Sequence, residues 1–570
     1  MHLILRYLKP YWGRVAYGMS VKLLGTVMDL LIPYILAHII DTVTPTQNLN
    51  HVLLWGLMMI LSSGLALLFN VMANRSAASV SRDCTRTLRH DLFDHIVHMH
   101  SRDMDKITIP SLISRMTTDT FYVYRTIGMT QRMGVRAPIM LIGGILITLT
   151  LDPVLSLILV AMLPFMTAVI VFVSRKGVPM YEKLQKRVDE MVRVVRENAS
   201  GVRIIKALSK SEDEKTRFDH ISRGVAQQET KASAIMAINN PMMQFLLNLG
   251  LVLVVLAGAK RVNSGLTQPG KIVAFISYFT IILQAMLSIT RFLTMFSKAL
   301  ASANRIEEVL LTPVEGDLLS AEKAQNNAPH IQFENVTFSY NGTQPSVENI
   351  SFTLQKGQTL GVLGPTGAGK STLIRLLLRF YDVDSGRVLV NGRDVRSLPL
   401  GELRGSIGAV FQNDALFRGD IGENIRLGRE ISMAEVDDAL MRAQAATFVA
   451  EKGGVESEVN AHGSNFSGGQ QQRLLLARAL AGSPDILLLD DATSALDFKT
   501  EAAFRKALRE KGADATTIII AQRISAVMHC DRILVMEDGE MLGLGTHEEL
   551  MKNCDLYREI ASLQIGGEAV

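Results

Sequence analysis

Six long apolar stretches in the first 300 residues of this 570-residue chain limit its fold more strongly than any other feature. They lie at about 15–40, 52–73, 133–151, 154–174, 236–259 and 272–297. A helix needs roughly 20 apolar residues to cross a bilayer, and a span in lipid must satisfy its own backbone hydrogen bonds. Residues 1–310 are therefore predicted to form an all-α polytopic membrane domain with six transmembrane helices.

The charges between the spans predict their orientation. Segment 42–51 has no Lys or Arg, whereas segment 75–130 holds eight and segment 175–235 is denser still. By the positive-inside rule the two long segments are cytoplasmic, and so are both termini. We expect a multi-pass protein of the cell membrane in contact with the lipid bilayer, with its three cysteines (Cys84, Cys530 and Cys554) on the cytoplasmic side as free thiols.

Both long cytoplasmic segments carry helical spacing and few glycines, so the membrane helices are expected to continue beyond the bilayer and turn back at a tip. The tips are placed near 109–120 (IPSLISRMTTDT) and 197–207 (ENASGVRIIKA). Each is either an ordinary solvated hairpin or a short crossing helix that docks onto a soluble domain. Periodicity alone does not distinguish the two.

A polar, proline-containing segment at 311–329 is predicted to be a linker. After it, residues 330–566 alternate between strand-like and helix-like runs, which predicts an α/β domain. Within this domain, GPTGAGKST fits the P-loop pattern, follows an apolar run and begins a helical pattern. Its glycines let backbone N–H groups surround phosphate oxygens. The cofactors are therefore expected to be ATP and Mg²⁺, contacted by Gly364, Thr366, Gly367, Ala368, Gly369, Lys370, Ser371 and Thr372.

Six further motifs carry candidate site residues. Tyr340 in FSY can stack on adenine or merely pack at a strand end, and Gln412 can reach Mg²⁺ and the attacking water. The strand-like run ILLLDD ends in two carboxylates, with Asp490 placed beside Ser371 and Gln412 as a Mg²⁺ ligand. The remaining candidates are the FSGGQ residues Ser467, Gly468, Gly469 and Gln470, Asp497 of SALD, and Gln522 at the end of IIIAQ.

In this order, these motifs resemble an ABC transporter ATPase domain, and the six spans with long basic loops resemble the half-transporters of type IV exporters. The resemblance covers about 10–566 and assigns the two tips to that family's coupling-helix regions. It implies an ATP-driven exporter of hydrophobic or amphipathic compounds. It also implies that two ATPase domains pair head to tail, so that Ser467–Gln470 serve the nucleotide of the partner chain.

Two positions depart from the family pattern, which has Glu where this chain has Asp491 and His where it has Gln522. With Gln412, these two make up the expected catalytic group. Both changes affect hydrolysis and spare binding, which predicts a degenerate site that turns ATP over slowly. The predicted partner is a second half-transporter carrying the missing Glu and His. Two alternatives remain: a homodimeric exporter in which Asp491 is an adequate base, and an ATP-gated regulator.

Polar residues inside the spans bear on the transport pathway. Lys22 and Asp29 are seven residues apart on one face of the first span, where an interhelical pair and a substrate contact are equally plausible. Residues Asn239, Asn240, Pro241, Gln244 and Asn248 bring polarity to the fifth span. The substrate itself is not readable from these residues. The small net charge of +4 carries no nucleic-acid signature, so no nucleic-acid partner is expected.

Overall fold

The structure, a computed structural model, describes residues 2–316, 328–511 and 515–565. The chain divides into two compact units, one formed by Met1–Ile96 with Pro110–Leu311 and the other by Val97–Ile109 with Thr312–Val570. Most of the predicted linker at 311–329 lies outside the described residues, as does residue 566 at the predicted end of the ATPase domain.

Ten α-helices occupy the described chain up to residue 310. They are α1 His2–Leu8, α2 Trp12–His38, α3 Leu49–Val97, α4 Ser101–Ile107, α5 Ile109–Ser114, α6 Thr120–Leu151, α7 Pro153–Ala207, α8 Ser211–Ala237, α9 Asn239–Asn263 and α10 Pro269–Leu310.

Among the described residues, six helical stretches are long and apolar enough to cross a membrane: His2–Thr46, Leu49–Val97, Ile109–Leu151, Pro153–Ala207, Ser211–Asn263 and Pro269–Leu310. The prediction of six membrane helices is confirmed. These helices run well past the roughly 20 residues that a bilayer requires.

The tips differ in detail from their predicted positions. The separate short helix is α4, Ser101–Ile107, whereas 109–120 forms the beginning of the returning helix, α5 followed by a π-helical turn at Arg115–Asp119. The break falls at Thr108, whose φ of +69° ends α4, and Pro110 then occupies the first turn of α5. Residues 197–207 are the last turns of α7, with no separate crossing helix there.

A buried ionic cluster ties the π-helical turn to α10. The Asp119 carboxylate, only 2% exposed, accepts hydrogen bonds from Arg305 and from the Ser302 hydroxyl. Arg115 donates to the Arg305 carbonyl at 2.7 Å and pairs with Glu308 at 2.9 Å. A buried charge is stable only when it is paired and hydrogen-bonded, so this cluster fixes the start of the returning helix against α10.

The second unit contains two main sheets. The strands are β1 Ile331–Phe338, β2 Val347–Leu354, β3 Thr359–Leu363, β4 Ser385–Val390, β5 Arg393–Asp394, β6 Ile407–Val410, β7 Gly419–Asp420, β8 Glu458–Val459, β9 Ile486–Asp490, β10 Thr516–Ile520, β11 Arg532–Glu537 and β12 Glu540–Gly545. A six-stranded sheet has the order β12-β11-β3-β10-β9-β6, with parallel pairing from β11 through β6. A four-stranded antiparallel sheet has the order β2-β1-β4-β5.

Helices cover the sheets, as expected for parallel strands that are apolar on both faces. They are α11 Lys370–Leu377, α12 Leu400–Gly405, α13 Ile421–Arg426, α14 Met433–Arg442, α15 Ala446–Glu451, α16 Gly468–Leu480, α17 Phe498–Lys511, α18 Ile524–Val527, α19 His547–Asn553 and α20 Asp555–Ile565. Every residue of β9 is buried, which explains its unbroken apolar run. The predicted fold class, a helical membrane domain followed by an α/β ATPase domain, is confirmed.

Candidate functional site

Four neighbouring parallel strands deliver the candidate residues to one edge of the six-stranded sheet. The P-loop follows β3, Gln522 follows β10, Asp490 ends β9 and Gln412 comes just after β6. Ligands of open α/β sheets bind outside the carboxyl ends of the strands. Residues that are far apart in sequence therefore meet because their strands are adjacent and point the same way.

Two P-loop glycines lie too close to other backbone segments for any side chain. A Cβ on Gly364 would lie 2.1 Å from the Met536 carbonyl oxygen, and one on Gly369 would lie 2.2 Å from that of Ser346. Gly369 also has a φ of +88° and precedes the first residue of α11. The loop thus brings its backbone N–H groups to a helix N-terminus, an arrangement that fits a polyphosphate.

The charged groups beside the loop fit a magnesium-bound phosphate chain. Lys370 donates from Nζ to the carbonyl oxygens of Gly364 and Pro365 at 2.8 and 2.6 Å, and burial lowers its pKa. Burial raises the pKa of Asp490, while a hydrogen bond from Ser371 opposes that shift. The Ser371 hydroxyl and the Asp490 carboxylate are therefore adjacent, and these are oxygen ligands of the kind that Mg²⁺ takes.

A cavity of about 240 Å³ gathers most of the predicted site. It is lined by Tyr340, Thr366, Gly367, Gly369, Lys370, Ser371, Thr372, Gln412, Asp490, Asp491 and Gln522. Gly364 and Ala368 belong to the loop without lining the cavity. Sequence reasoning missed Ser346 and Arg375, which also line it. Arg375 donates to the Tyr340 hydroxyl at 2.9 Å, and its position one helical turn after Ser371 was a usable signal.

Asp491 is held in a left-handed backbone conformation, with a φ of +52°. Its N–H donates to the Ile520 carbonyl at 2.9 Å, and its own carbonyl accepts from Gln472 Nε2 at 3.2 Å and from the Ser494 hydroxyl at 2.9 Å. The peptide groups on both sides of this residue are thus fixed. Burial, reinforced by the neighbouring Asp490 carboxylate, raises the pKa of Asp491.

The loop that carries Gln522 is clamped by the last helix of the described chain. The Gln564 side chain donates to the Gln522 carbonyl at 2.9 Å and accepts from the Ile524 N–H at 2.8 Å. Nothing in the local sequence pointed to Gln564, because the contact joins elements 40 residues apart along the chain. The side chain of Gln522 itself remains exposed beside the cavity.

The residues Ser467–Gln470 of FSGGQ, called the signature from here on, lie elsewhere in the same unit. Ser467 caps α16, where its side chain accepts from the Gln470 N–H and the Gln470 side chain accepts from the Ser467 N–H. Ser467 and Gly468 are exposed, and none of 467–470 lines the cavity beside Lys370. Asp497 is also outside that cavity, and hydrogen bonds from Thr500 lower its pKa.

Segment Val97–Ile109 belongs to the second unit and contacts it next to Tyr340. The Tyr381 hydroxyl donates to the Asp105 carboxylate at 2.6 Å. Burial, reinforced by this hydrogen bond, raises the pKa of Tyr381. Tyr381 stands edge-on to Tyr340 with ring centroids 5.1 Å apart. The turn at 97–109 is therefore in physical contact with the aromatic group at the end of the nucleotide cavity.

The polar residues of the spans separate into two groups. Lys22, Asn239, Asn240 and Gln244 line a cavity of about 1210 Å³ in the first unit. Asp29 instead pairs with Arg136 at 3.2 Å, while Lys22 donates to Asn70 at 2.7 Å. Of the two alternatives for these residues, Asp29 forms the interhelical pair, whereas Lys22 both contacts another helix and lines the cavity.

Comparison with known proteins agrees with this architecture. Residues 15–286 match the family described as the ABC transporter transmembrane region, and residues 347–494 match the family described as ABC transporter. The uncharacterized ABC transporter ATP-binding protein YfiB of Bacillus subtilis is 36% identical over 100% of this chain and 99% of its own length. The ATP-dependent lipid A-core flippase of Photobacterium profundum is 34% identical over 85% of this chain and 84% of its own length. The structure of a bacterial Atm1-family ABC exporter with ATP bound superposes with a TM-score of 0.82 at 26% identity, covering 99% of both chains.

Proposed function

The chain belongs to the ABC transporter family, and we propose that it is one half of a heterodimeric exporter whose own ATP site holds nucleotide but hydrolyses it slowly. Members with a transmembrane and an ATPase domain couple ATP hydrolysis to transport across the bilayer and work as dimers. What is proposed here is the division of labour between two unlike chains. The proposed cargo is hydrophobic or amphipathic, in line with the lipid A-core flippase among the relatives.

One observation carries the proposal: a single cavity combines a complete set of binding residues with two altered hydrolytic positions. Lys370 and the loop backbone would hold the phosphates, Tyr340 the adenine, and Ser371, Asp490 and Gln412 the Mg²⁺. Bound Mg²⁺ would neutralise charge on the phosphate chain. None of these groups depends on Asp491 or Gln522, so binding is expected at ordinary strength.

The position of Asp491 limits the hydrolytic step. A general base must lie about 2.6–3.2 Å from the proton that it takes. Aspartate is one methylene shorter than glutamate, and a misplacement of about 1 Å can cost roughly a hundredfold in rate. The backbone cannot advance to compensate, because the Asp491 N–H is bonded to Ile520 and its carbonyl to Gln472.

Gln522 in place of histidine removes a second contribution to ATP hydrolysis. Its amide can donate a hydrogen bond to a γ-phosphate oxygen, but it can carry neither a proton nor a positive charge as histidine can. The Gln564 clamp holds the backbone of this loop in place. The expected result is a well-positioned but chemically weak group on the same side of the site as Asp491.

The exposed signature supports pairing with a second chain. Ser467 and Gly468 are exposed at the N-terminus of α16, away from the cavity of their own chain. In the proposed heterodimer, these groups complete the ATP site of a partner that carries Glu and His at the positions of Asp491 and Gln522. That partner site would then perform most of the hydrolysis.

The test is to purify this chain alone, reconstitute it into lipid, and measure the binding of MgATP and the rate of ATP hydrolysis in one sample. Both termini of the chain, and with them the ATPase domain, are predicted to be cytoplasmic. We expect binding that Lys370→Ala abolishes, together with little turnover. Turnover of about 1 s⁻¹ or faster, a typical enzymatic rate, would instead identify a homodimer in which Asp491 is a competent base. Nucleotide binding without transport by any purified pair would favour the ATP-gated regulator.

A further inference from the structure

The membrane cavity of the first unit has a strong charge bias. Its lining includes six cationic side chains and no Asp or Glu. The six are Lys22, Arg125, Arg132, Arg136, Arg291 and Lys298. Three of them, Lys22, Arg136 and Arg291, lie inside the predicted spans, where ionisable groups are costly and mark substrate or ion pathways. We propose that the exported substrate is an anionic amphiphile, whose acidic head group binds these cations and whose apolar part binds the uncharged part of the lining.

Helix geometry places the cations on one side. Arg125, Arg132 and Arg136 are spaced by seven and four residues on α6, which puts them on one face of that helix. On α10, Arg291 and Lys298 are also seven residues apart. Lys22 on α2 completes the set. Three helices therefore present their basic faces to the same space.

Most of this charge is not neutralised by the protein. Within the described residues, Arg136 is the one member of the six that forms an ion pair, with Asp29. Lys22 donates to the amide oxygen of Asn70, and Arg132 donates to the Gly128 carbonyl of its own helix. A cleft lined by charge of one sign concentrates counter-ions. Arginine in particular matches the geometry of carboxylate and phosphate oxygens.

The part of the lining that comes from α7, α8 and α9 is uncharged. These helices contribute Ile170, Val173, Val178, Met236 and Met243, together with neutral polar side chains. At about 1210 Å³, the cavity exceeds the roughly 300–1,000 Å³ of sites for drug-sized ligands. A ligand with an acidic head and a long apolar body satisfies both the cationic and the uncharged parts of the lining. A cationic amphiphile would be repelled, and a neutral hydrophobe would leave the guanidinium groups without partners.

This substrate class rests on the proposed export function, but the first test requires no transport. The full chain in phosphatidylcholine nanodiscs is titrated with dansyl-labelled dodecanoate and with the matching dansyl-labelled dodecyl trimethylammonium, and the signal from empty discs is subtracted. We expect the anion to bind at least about tenfold more tightly than the cation. Equal affinity for the two head groups, or preference for the cation, would overturn the proposal.

Variants then locate the binding. Arg132→Gln with Arg291→Gln should weaken dodecanoate binding about tenfold and, by removing repulsion, strengthen binding of the cationic probe. Arg132→Lys with Arg291→Lys should retain most of the binding, which guards against a fold defect. The matched control, Lys183→Gln with Lys186→Gln, removes two exposed charges of α7 outside the cavity and should change nothing. If the control loses as much dodecanoate affinity as Arg132→Gln with Arg291→Gln does, the assignment of the binding site to this cavity is wrong.

Two further arms complete the design. Competition by phosphatidylglycerol in the disc identifies a membrane lipid as the source of the anionic head, whereas its absence identifies a water-soluble amphiphile. ATP-driven uptake of dodecanoate into inside-out proteoliposomes, with the partner chain present, tests export itself. Selective dodecanoate binding without uptake leaves the cavity assignment intact and counts against the proposed function alone.

Discussion

Restoring the longer carboxylate at position 491 is the most direct test of the slow-site proposal. Asp491→Glu adds about 1 Å of reach, and a misplacement of that size costs roughly a hundredfold in rate. Because Gln522 still lacks a proton to transfer, we expect recovery of only about 10- to 100-fold in ATP turnover. Binding of MgATP should not change, since Lys370, Ser371 and Asp490 are untouched.

The same substitution, Asp491→Glu, should also lower the stability of the fold, because of the backbone conformation at this residue. Asp491 has a φ of +52°, a conformation that Asp and Asn tolerate better than longer side chains. Glutamate there should lose about 1 kcal/mol of stability. For a domain of this size that corresponds to a fall of about 2–4 °C in the thermal midpoint. The variant is thus expected to be faster and slightly less stable.

The assay compares steady-state turnover, MgATP affinity and the thermal midpoint for wild type, Asp491→Glu and a control. Asp485→Glu is the matched control, because Asp485 is exposed and directly precedes the opposite end of the strand that leads to Asp491. It should change none of the three quantities. If Asp491→Glu binds MgATP normally and turns over no faster than wild type, the geometric account of this site is wrong.

Three other predictions rest on contacts around the site. Burial and the Asp490 carboxylate raise the pKa of Asp491 in the folded chain above its value in the unfolded chain. The folded state is therefore favoured when Asp491 is protonated at low pH, and it loses that stability as the pH rises through the raised pKa. Asp491→Asn, which stays neutral, should raise the thermal midpoint near pH 7 and leave it unchanged below about pH 4, where Asp491 is protonated in both states. Gln564→Ala should speed hydrogen exchange of the Ile524 amide about tenfold, measured by mass spectrometry, because it removes the acceptor for that N–H; unchanged protection would exclude the clamp. Tyr381→Phe removes the hydrogen bond to Asp105 and keeps the ring. If segment 97–109 transmits cargo binding to the nucleotide cavity through this contact, cargo-stimulated ATPase of the proposed heterodimer should fall while MgATP binding stays constant. Equal stimulation in the variant would show that this contact does not transmit it.

Most of the residues that the sequence singled out line one cavity in the structure, for a physical reason. Each motif directly follows an apolar strand, and adjacent parallel strands bring the residues at their carboxyl ends to one edge of the sheet. The contacts that were missed depend on packing between distant elements. Gln564 reaches the Gln522 loop from the last described helix, and Ser346 enters the cavity from the turn before β2.

The membrane part shows the same limit. Hydropathy located all six spans because the cost of unsatisfied backbone in lipid is large. It did not locate the turn at Thr108, because the positive φ there belongs to a threonine and not to Gly or Asn, the residues from which such a turn is usually predicted. Nor did it reveal the cationic face of α6, because the side of a helix on which a cavity lies is set by its neighbours. Spacing of seven and four residues among Arg125, Arg132 and Arg136 was visible, but only the packed helices show that they meet Arg291.

One hydrogen-bond network joins the backbone of Asp491 to the helix that Ser467 begins. Gln472, on that helix, donates to the carbonyl of Asp491 and accepts from the Ala495 N–H at 2.8 Å. Because these bonds use the backbone of Asp491, they do not depend on the length of its side chain. In the proposed heterodimer, a change confined to the Asp491 side chain should leave the partner's site at full speed.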